Sequence, residues 1–527
     1  MGDGRAAHGR HPFNFRYTFF MTDTLTELKA RLAEVDDLEN AAALLEWDQL
    51  TMMPPAGAAG RADQSATLQK IAHEKFIADE VGRLLADLTA EFKDAAAEED
   101  AMAEDDDAAL VRVASQLYKR KTQIPASLVA EMVQATSIGQ SIWAQARAQS
   151  DFQAFLPQLE KIFALKRQVA ACFPEAASPY DALLDDYEPG ATTAQVRAMF
   201  DELKRELPPL VRAIADKSTG HEADPLHGDF DEQTQWDLSL RAVAQFGYDF
   251  KQGRQDKAVH PFATSFGLHD VRITNRVRRD HLTACLMGSL HECGHALYDL
   301  GYPDKYARSP LGHSASLGIH ESQSRLWENL VGRSRSYWQF FFPQLQAAFP
   351  HQLAGQNAAS FYRAVNAVRS TFIRVEADEV TYNLHTLLRF EMEVDLLEGR
   401  LEAKDAPEAW NAKVKDYLGL TVSEDRLGVL QDTHWASGLI GYFPTYTIGN
   451  LASAQLFDKA VADVPGIPDD IAHGRFAGLL GWLRQNVHQH GRKYLPADLI
   501  QVATGEPLSA RPYLAYLKNK YGELYGL

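Results

Sequence analysis

A mostly α-helical fold with one small β element beside its functional site is what this 527-residue chain predicts. Three observations carry that expectation. Apolar residues recur at spacings of three and four through most of the chain, the mark of amphipathic helices. Strand-like alternation is confined to one region. Clusters of Pro, Gly, Asp and Ser break the helical text at wide intervals. The length exceeds that at which one core usually stops growing, so two or three lobes are expected.

The N-terminal "MGDGRAAHGRHPFNFRYTFF" has no apolar stretch of the length a secretory signal needs, and it is Gly- and Arg-rich. A second methionine follows at Met21, so residues 1–20 are read as a disordered extension or an upstream start, and residues 21–527 as a single helical domain whose two lobes flank a groove. "LTELKARLAEVDDLENAAALLEWDQ" and "ATLQKIAHEKFIADEVGRLLADL" follow with helical periodicity. The acidic run "EEDAMAEDDDAALVRVASQL" is a recognition patch or, more simply, a solvated helix start favoured by the helix dipole. Loops fall at "TMMPPAGAAG", "FPEAASPYDALLDDYEPG", "STGHEADPLHGDFDE" and "VPGIPDD", and no repeat of 20–50 residues is present. The strand candidate is 260–277, "HPFATSFGLHDVRITNRV", where "DVRIT" alternates. A short sheet there would offer an edge to an extended peptide.

Bulk chemistry narrows the function. With 53 basic against 71 acidic residues the net charge is −18, which argues against a nucleic-acid partner and against docking on an anionic membrane. No window of eighteen uninterrupted apolar residues occurs. Three cysteines, Cys172, Cys285 and Cys293, are too few for a disulfide framework and suit a reducing, cytoplasmic compartment.

The chemistry-bearing stretch is "MGSLHECGHALYDLG", residues 287–301. On a helix His291 and His295 lie about 40° apart, so both imidazoles face one ion, while Glu292, about 100° round, can reach the attacking water. An ion lowers that water's pKa and a carboxylate accepts its proton. By chance about one chain in twenty-five of this composition would carry the pattern, so the spacing alone is shared with a packed helix whose histidines are satisfied by backbone. Cys293 falls about 200° from His291 and reads as core. Asp280 is the expected N-cap, and Gly301 with Pro303 the stop. Gly288 and Gly294 each cost about 1 kcal/mol inside a helix, which implies close approach of another element. A catalytic zinc needs a third protein ligand. Glu321 in "LGIHESQSRLWENLVG" is the candidate, because Ser322 and Ser324 leave room for a partner helix; otherwise it is an exposed helix glutamate.

Six motifs then occur in order: "HPF" (260–262), "DVRIT" (270–274), "HECGH" (291–295), "HESQS" (320–324), "IRVEAD" (373–378) and "GVLQDTHW" (428–435). Together with "EWDQLTMMPPAG", "YDALLDDYEPG" and "GYFPTYTIGN", the chain from 21 to 527 resembles the thermostable carboxypeptidase Taq family of metallocarboxypeptidases. The resemblance implies a neurolysin-like helical metallopeptidase fold with a deep groove, acting as a homodimer. By match to the motif it implies that His291, His295 and Glu321 hold one divalent metal, with zinc first and cobalt second, and that Glu292 is the general base.

A carboxypeptidase must also grip a free terminal carboxylate and stabilise an oxyanion. Arg374 is the candidate grip, since a guanidinium meets a carboxylate with two hydrogen bonds. Arg374, Asp378, Tyr382 and His385 recur at four, four and three, and are expected to form one buried functional stripe on one helix, with Asp378 a substrate-binding candidate beside Arg374, the alternative being an Arg374–Asp378 surface pair. His434 and Tyr442, with Tyr446, are the candidate oxyanion and substrate groups; His260 and Asp270 would line the groove or orient a metal-binding imidazole. The expected partners are peptides with a free C-terminus, cut with broad specificity. An oligopeptidase or dipeptidyl carboxypeptidase on the same scaffold, and a scaffold that has lost its chemistry, are the competing readings.

Overall fold

A computed structural model describes residues 13–96, 105–217 and 224–527. The chain divides into two compact units, one of residues 1–122 with 305–312, the other of residues 123–304 with 313–527. Of the segment read as an extension, residues 1–12 lie outside the described residues, and the first helix, Phe13–Thr51, begins at Phe13.

Among the described residues the α-helices of the first unit are Phe13–Thr51, Ala58–Phe76, Asp79–Ala96 and Asp106–Gln123. Leu28, Leu32, Phe76, Leu88 and Leu110 form its core, closed by Tyr306 and Leu311 from the returning segment. The acidic run lies outside the described residues from 97 to 104; beyond it, Asp106 and Asp107 fill the first turn of their helix, as the dipole favours. Asp106 accepts from Tyr306 Oη at 2.9 Å and pairs with Lys305.

Among the described residues the second unit is helical apart from a three-stranded sheet: β1 (Gln255–Lys257), β2 (Phe262–Ser265) and β3 (Val271–Asn275), in the order β1-β3-β2. β3 runs parallel to β1 and antiparallel to β2, with Ile273 opposite both Gln255 and Ala263. "DVRIT" is thus the central strand, and β2 is an edge. β1, three polar residues, carries no pattern that a sequence reading could detect.

Behind the sheet runs the helix Leu282–Asp299, buried almost all round. Its two glycines answer to two neighbours. A Cβ on Gly288 would lie 2.8 Å from Asn275 Oδ1, and Asn275 Nδ2 donates to Cys285 O and Ser289 Oγ, both at 2.6 Å. A Cβ on Gly294 would lie 2.5 Å from Gln323 O and 2.6 Å from Ser324 Cα, so the helix Leu317–Arg325 crosses in direct backbone contact. Cys293 is fully buried in the apolar core. Asp280 does not cap this helix: His281 occupies the N-cap without a side-chain bond, and Asp280 is held by Arg278 in a two-pronged pair.

Candidate active site

His291 and His295 project from one face of the helix Leu282–Asp299 toward Glu321 on the crossing helix. Their Nε2 atoms lie 3.6 and 3.5 Å from the same oxygen, Glu321 Oε2. All three side chains are largely buried. Among the described residues this is the one group of three or more His, Cys, Asp or Glu gathered as a metal would require. Two imidazoles and a carboxylate are a common catalytic donor set, and tetrahedral bonds of about 2.0–2.2 Å separate such donors by about 3.3–3.6 Å. The residues fit a divalent ion.

The surroundings fix each donor. Arg325 Nε donates to Glu321 Oε1 at 2.7 Å, which leaves Oε2 facing the histidines. Ser324 Oγ also donates to Oε2, at 3.1 Å. A π-helical turn, Leu326–Val331, continues this helix and brings in Glu328, whose Oε2 is 2.9 Å from His291 Nδ1 and 3.2 Å from Arg325 Nη1. His291 thus has its outer nitrogen held by a carboxylate, as metal-binding imidazoles commonly do. Asp270, expected in such a role, is instead paired with Arg272 on the sheet. His295 is held differently: its Nδ1 is buried without a protein acceptor, and its ring stacks on His320 at 4.2 Å and 14°. His320 in turn meets Asp299 at 3.2 Å. From the far side comes the helix Pro444–Asp463, where a Cβ on Gly449 would lie 2.5 Å from Glu321 Cγ.

The electrostatics follow from this crowding of charge. Burial opposes ionisation of Glu321, yet Arg325 and the two histidines hold its carboxyl well below the usual range. Burial would lower His291, but Glu321 and Glu328 outweigh it and raise the imidazole to about 9. His295 is pushed down to about 3 by burial, with His320 adding to the effect. Glu292 is buried beside them. Its burial, joined by the charges of Glu321 and Glu328 and opposed by His291, pushes its carboxyl up to about 7.

A second cluster adjoins the first. Arg374 and Arg389 are both buried and share Asp432: Arg374 Nη2 at 3.0 Å from Oδ1, Arg389 Nε at 2.6 Å from Oδ2. Arg374 Cζ stands 4.7 Å over the ring of Tyr446. His434 Nε2 meets Tyr446 Oη at 3.2 Å, and burial lowers its imidazole to about 3, leaving it neutral. Tyr442 packs its ring 5.3 Å from Tyr446, 5.5 Å from His434 and 5.2 Å from Tyr187. Burial raises the Tyr442 phenol, and the charge of Glu321 adds to that, a sign of how near the two clusters lie.

The expected single stripe on one helix does not form. Arg374 lies on a one-turn 3₁₀ segment, Arg374–Glu376, and the helix starts only at Tyr382. The break is made by Asp378, whose carboxylate accepts from the backbone N–H groups of Arg369, Val380 and Thr381 and from Thr381 Oγ1. A short acidic side chain that binds its own backbone competes with helical bonding. The surface Arg374–Asp378 pair is absent too, since Arg374 pairs with Asp432. His260 stands exposed ahead of β2, its carbonyl facing Thr274 Oγ1; among the described residues its ring makes no hydrogen bond or ion pair. Sequence reasoning missed Arg389, Asp432 and Gly449 and gave Arg325 and Glu328 no role. Their placement depends on which helix faces turn toward one another.

A helical fold with a two-histidine, one-glutamate centre and a glutamate beside it defines a metallopeptidase. A family model described as carboxypeptidase Taq (M32) metallopeptidase matches residues 27–521. Thermostable carboxypeptidase 1 of Thermus thermophilus is 42% identical over 501 residues, 93% of this chain and 96% of that one. Carboxypeptidase 1 of Bacillus subtilis is 36% identical over 94% of this chain and 97% of its own. The crystal structure of the M32 carboxypeptidase from Deinococcus radiodurans R1 superimposes with a TM-score of 0.90 at 42% identity, over 96% of this chain and 100% of that one. The chain belongs to the M32 carboxypeptidase Taq family and is a metallocarboxypeptidase.

Proposed function

We propose that the protein removes C-terminal residues from peptides, with broad specificity, using one metal ion held by His291, His295 and Glu321. The observation that carries this reading is the convergence of two histidine Nε2 atoms on one glutamate oxygen within 3.6 Å. Zinc is the ion we assign, because the donor set and spacing suit it; cobalt suits them as well. A bound ion would polarise the scissile carbonyl and acidify the attacking water. Glu292, with its carboxyl raised toward neutrality, takes the proton from that water and passes it to the leaving amine.

Arg374 receives the terminal carboxylate. Two buried guanidiniums share the single charge of Asp432, and the surplus positive charge is what a carboxylate would balance. His434, Tyr442 and Tyr446 face the reacting carbonyl and donate to its developing charge; His434, being neutral, donates from one nitrogen only. His260, exposed ahead of the edge strand β2, lines the path of the peptide. Asp378 we assign to the loop that carries Arg374, because its oxygens are taken by backbone.

Among the described residues no helix is long and apolar enough to cross a membrane. Three free cysteines support a cytoplasmic location. Assembly as a homodimer rests on the family resemblance, and sedimentation of the purified protein tests it. The test of the reaction is Glu292→Gln, which is expected to keep its metal and lose turnover of a peptide with a free C-terminus. Undiminished turnover would sink the mechanism. Equal cleavage of the amidated peptide by the wild type would replace the carboxypeptidase reading with an oligopeptidase one.

A further inference from the structure

Tyr382, the first residue of the helix Tyr382–Leu397, sits between two guanidiniums that serve different clusters. Arg325 lies face-on, its Cζ 4.7 Å from the ring centroid. Arg374 comes to the hydroxyl edge, its Nη1 donating to the phenol oxygen at 2.9 Å. One aromatic ring thus separates two like charges, with its face toward one and its oxygen toward the other. Arg325 holds Glu321 and Glu328 on its far side. Arg374, together with Arg389, holds Asp432.

The phenol accepts from Arg374, which leaves its proton to be donated elsewhere. Tyr382 is 6% exposed, and among the described residues no acceptor lies within hydrogen-bond range of that proton. A buried hydroxyl proton without an acceptor is unfavourable, so the position calls for an acceptor from outside the chain. Arg374 has committed three of its five N–H bonds, to Asp432 and Tyr382, and keeps one on each terminal nitrogen. A ligand placed against Arg374 beside Tyr382 therefore meets a free donor from each of the two residues. The matching chemistry is an anionic acceptor with two oxygens, that is, a carboxylate.

We propose that Tyr382 is a further substrate-binding residue, whose phenol donates to the same terminal carboxylate that Arg374 receives and whose ring ties that grip to Arg325 and so to Glu321. This rests on the carboxypeptidase reading given above. Removing the hydroxyl alone separates the two halves of the role from each other and from folding.

Tyr382→Phe keeps the ring under Arg325. It is expected to raise KM for a peptide with a free C-terminus about tenfold, with kcat within about twofold of wild type, because the lost bond is made to substrate and transition state alike. Its preference for the free over the amidated peptide should shrink by the same factor, with zinc affinity, read by chelator competition, unchanged. Tyr382→Leu should show the same KM change and also weaken zinc about tenfold, since Arg325 loses its support. A wild-type KM in Tyr382→Phe overturns the proposal, as does a loss of zinc in that variant. Unchanged zinc affinity in Tyr382→Leu overturns the link to Glu321. Arg374→Met is run beside them: if it leaves the free-over-amidated preference intact, the assignment of Arg374 has failed, whatever Tyr382 does.

Discussion

Arg325 Nε donates to Glu321 Oε1 across 2.7 Å, and this contact decides which carboxylate oxygen is left to a metal. With Oε1 committed, only Oε2 faces the histidine pair. The same guanidinium reaches Glu328, so one planar fork sets the position of a ligand and of the residue that steadies His291. A lysine would keep the charge and lose the fork.

Replacing Arg325 by Met should therefore weaken zinc about 10–100-fold, the usual effect of removing a partner of a metal ligand, although Glu321 becomes more basic. Loss of position outweighs the gain in basicity because the carboxylate is buried and leaves one oxygen unpaired. Arg325→Lys should fall between. Chelator competition on the purified variants gives the order, and an Arg325→Met that binds zinc as wild type would show that Glu321 is held by its packing alone.

Glu328 acts on the other ligand. Its 2.9 Å contact holds His291 Nδ1, so that Nε2 is the nitrogen turned toward Glu321. Glu328→Gln keeps an acceptor and should cost a few-fold in zinc affinity, whereas Glu328→Ala should cost about 10–100-fold. The comparison separates hydrogen bonding from charge. Equal losses in both variants would assign the effect to charge.

Gly449 and Gly294 hold the ligand helix from opposite sides. An alanine at 449 would press its methyl against Glu321 Cγ, and one at 294 against the Gln323 carbonyl. Each should destabilise the fold by about 1–3 kcal/mol, the usual cost of overpacking. Gly449→Ala should in addition weaken zinc, because the displaced atoms belong to a ligand. Gly481→Ala meets nothing within 4 Å and serves as the control, expected to be neutral or slightly stabilising. Thermal unfolding and zinc titration of the three variants check this order.

What the sequence disclosed, it disclosed through local rules. The spacing of His291 and His295, the small residues flanking Glu321, the alternation of "DVRIT" and the two glycines inside a helix each follow from geometry within a few residues. The stripe from Arg374 to His385 misled because spacing counts residues and does not see Asp378 binding the backbone. Arg389 and Asp432 were illegible for another reason. A buried charge reads as an exposed one until its partner, 43 residues away for this pair, is known. Glu328 depended on a π-helical turn, which shifts the face a residue presents and has no sequence marker here.

Glu188 makes the stability of the fold depend on pH. It is 1% exposed and docks on the start of the helix that carries Glu321. There Leu317 N–H donates to Tyr187 O at 3.1 Å, Gly318 N–H to Glu188 Oε1 and Ile319 N–H to Ser316 Oγ at 3.0 Å, so the first turn is fully capped. A helix start favours an anion, but burial opposes it more strongly: desolvation raises the Glu188 carboxyl to about 8, against the hydrogen bonds of Ser316 and Gly318. A carboxyl whose folded pKa is raised stabilises the fold fully below its unfolded value of 4.5, and that contribution is lost as pH climbs to about 8. Glu188→Gln keeps an oxygen for Gly318 N–H and removes the titration. Relative to wild type it should thus gain stability as pH rises from about 5 to 8, at up to about 1.4 kcal/mol per pH unit, and hold that gain at higher pH. Denaturant unfolding of both proteins across that range checks the slope; a difference independent of pH would mean that Glu188 ionises in the folded protein at its ordinary pKa.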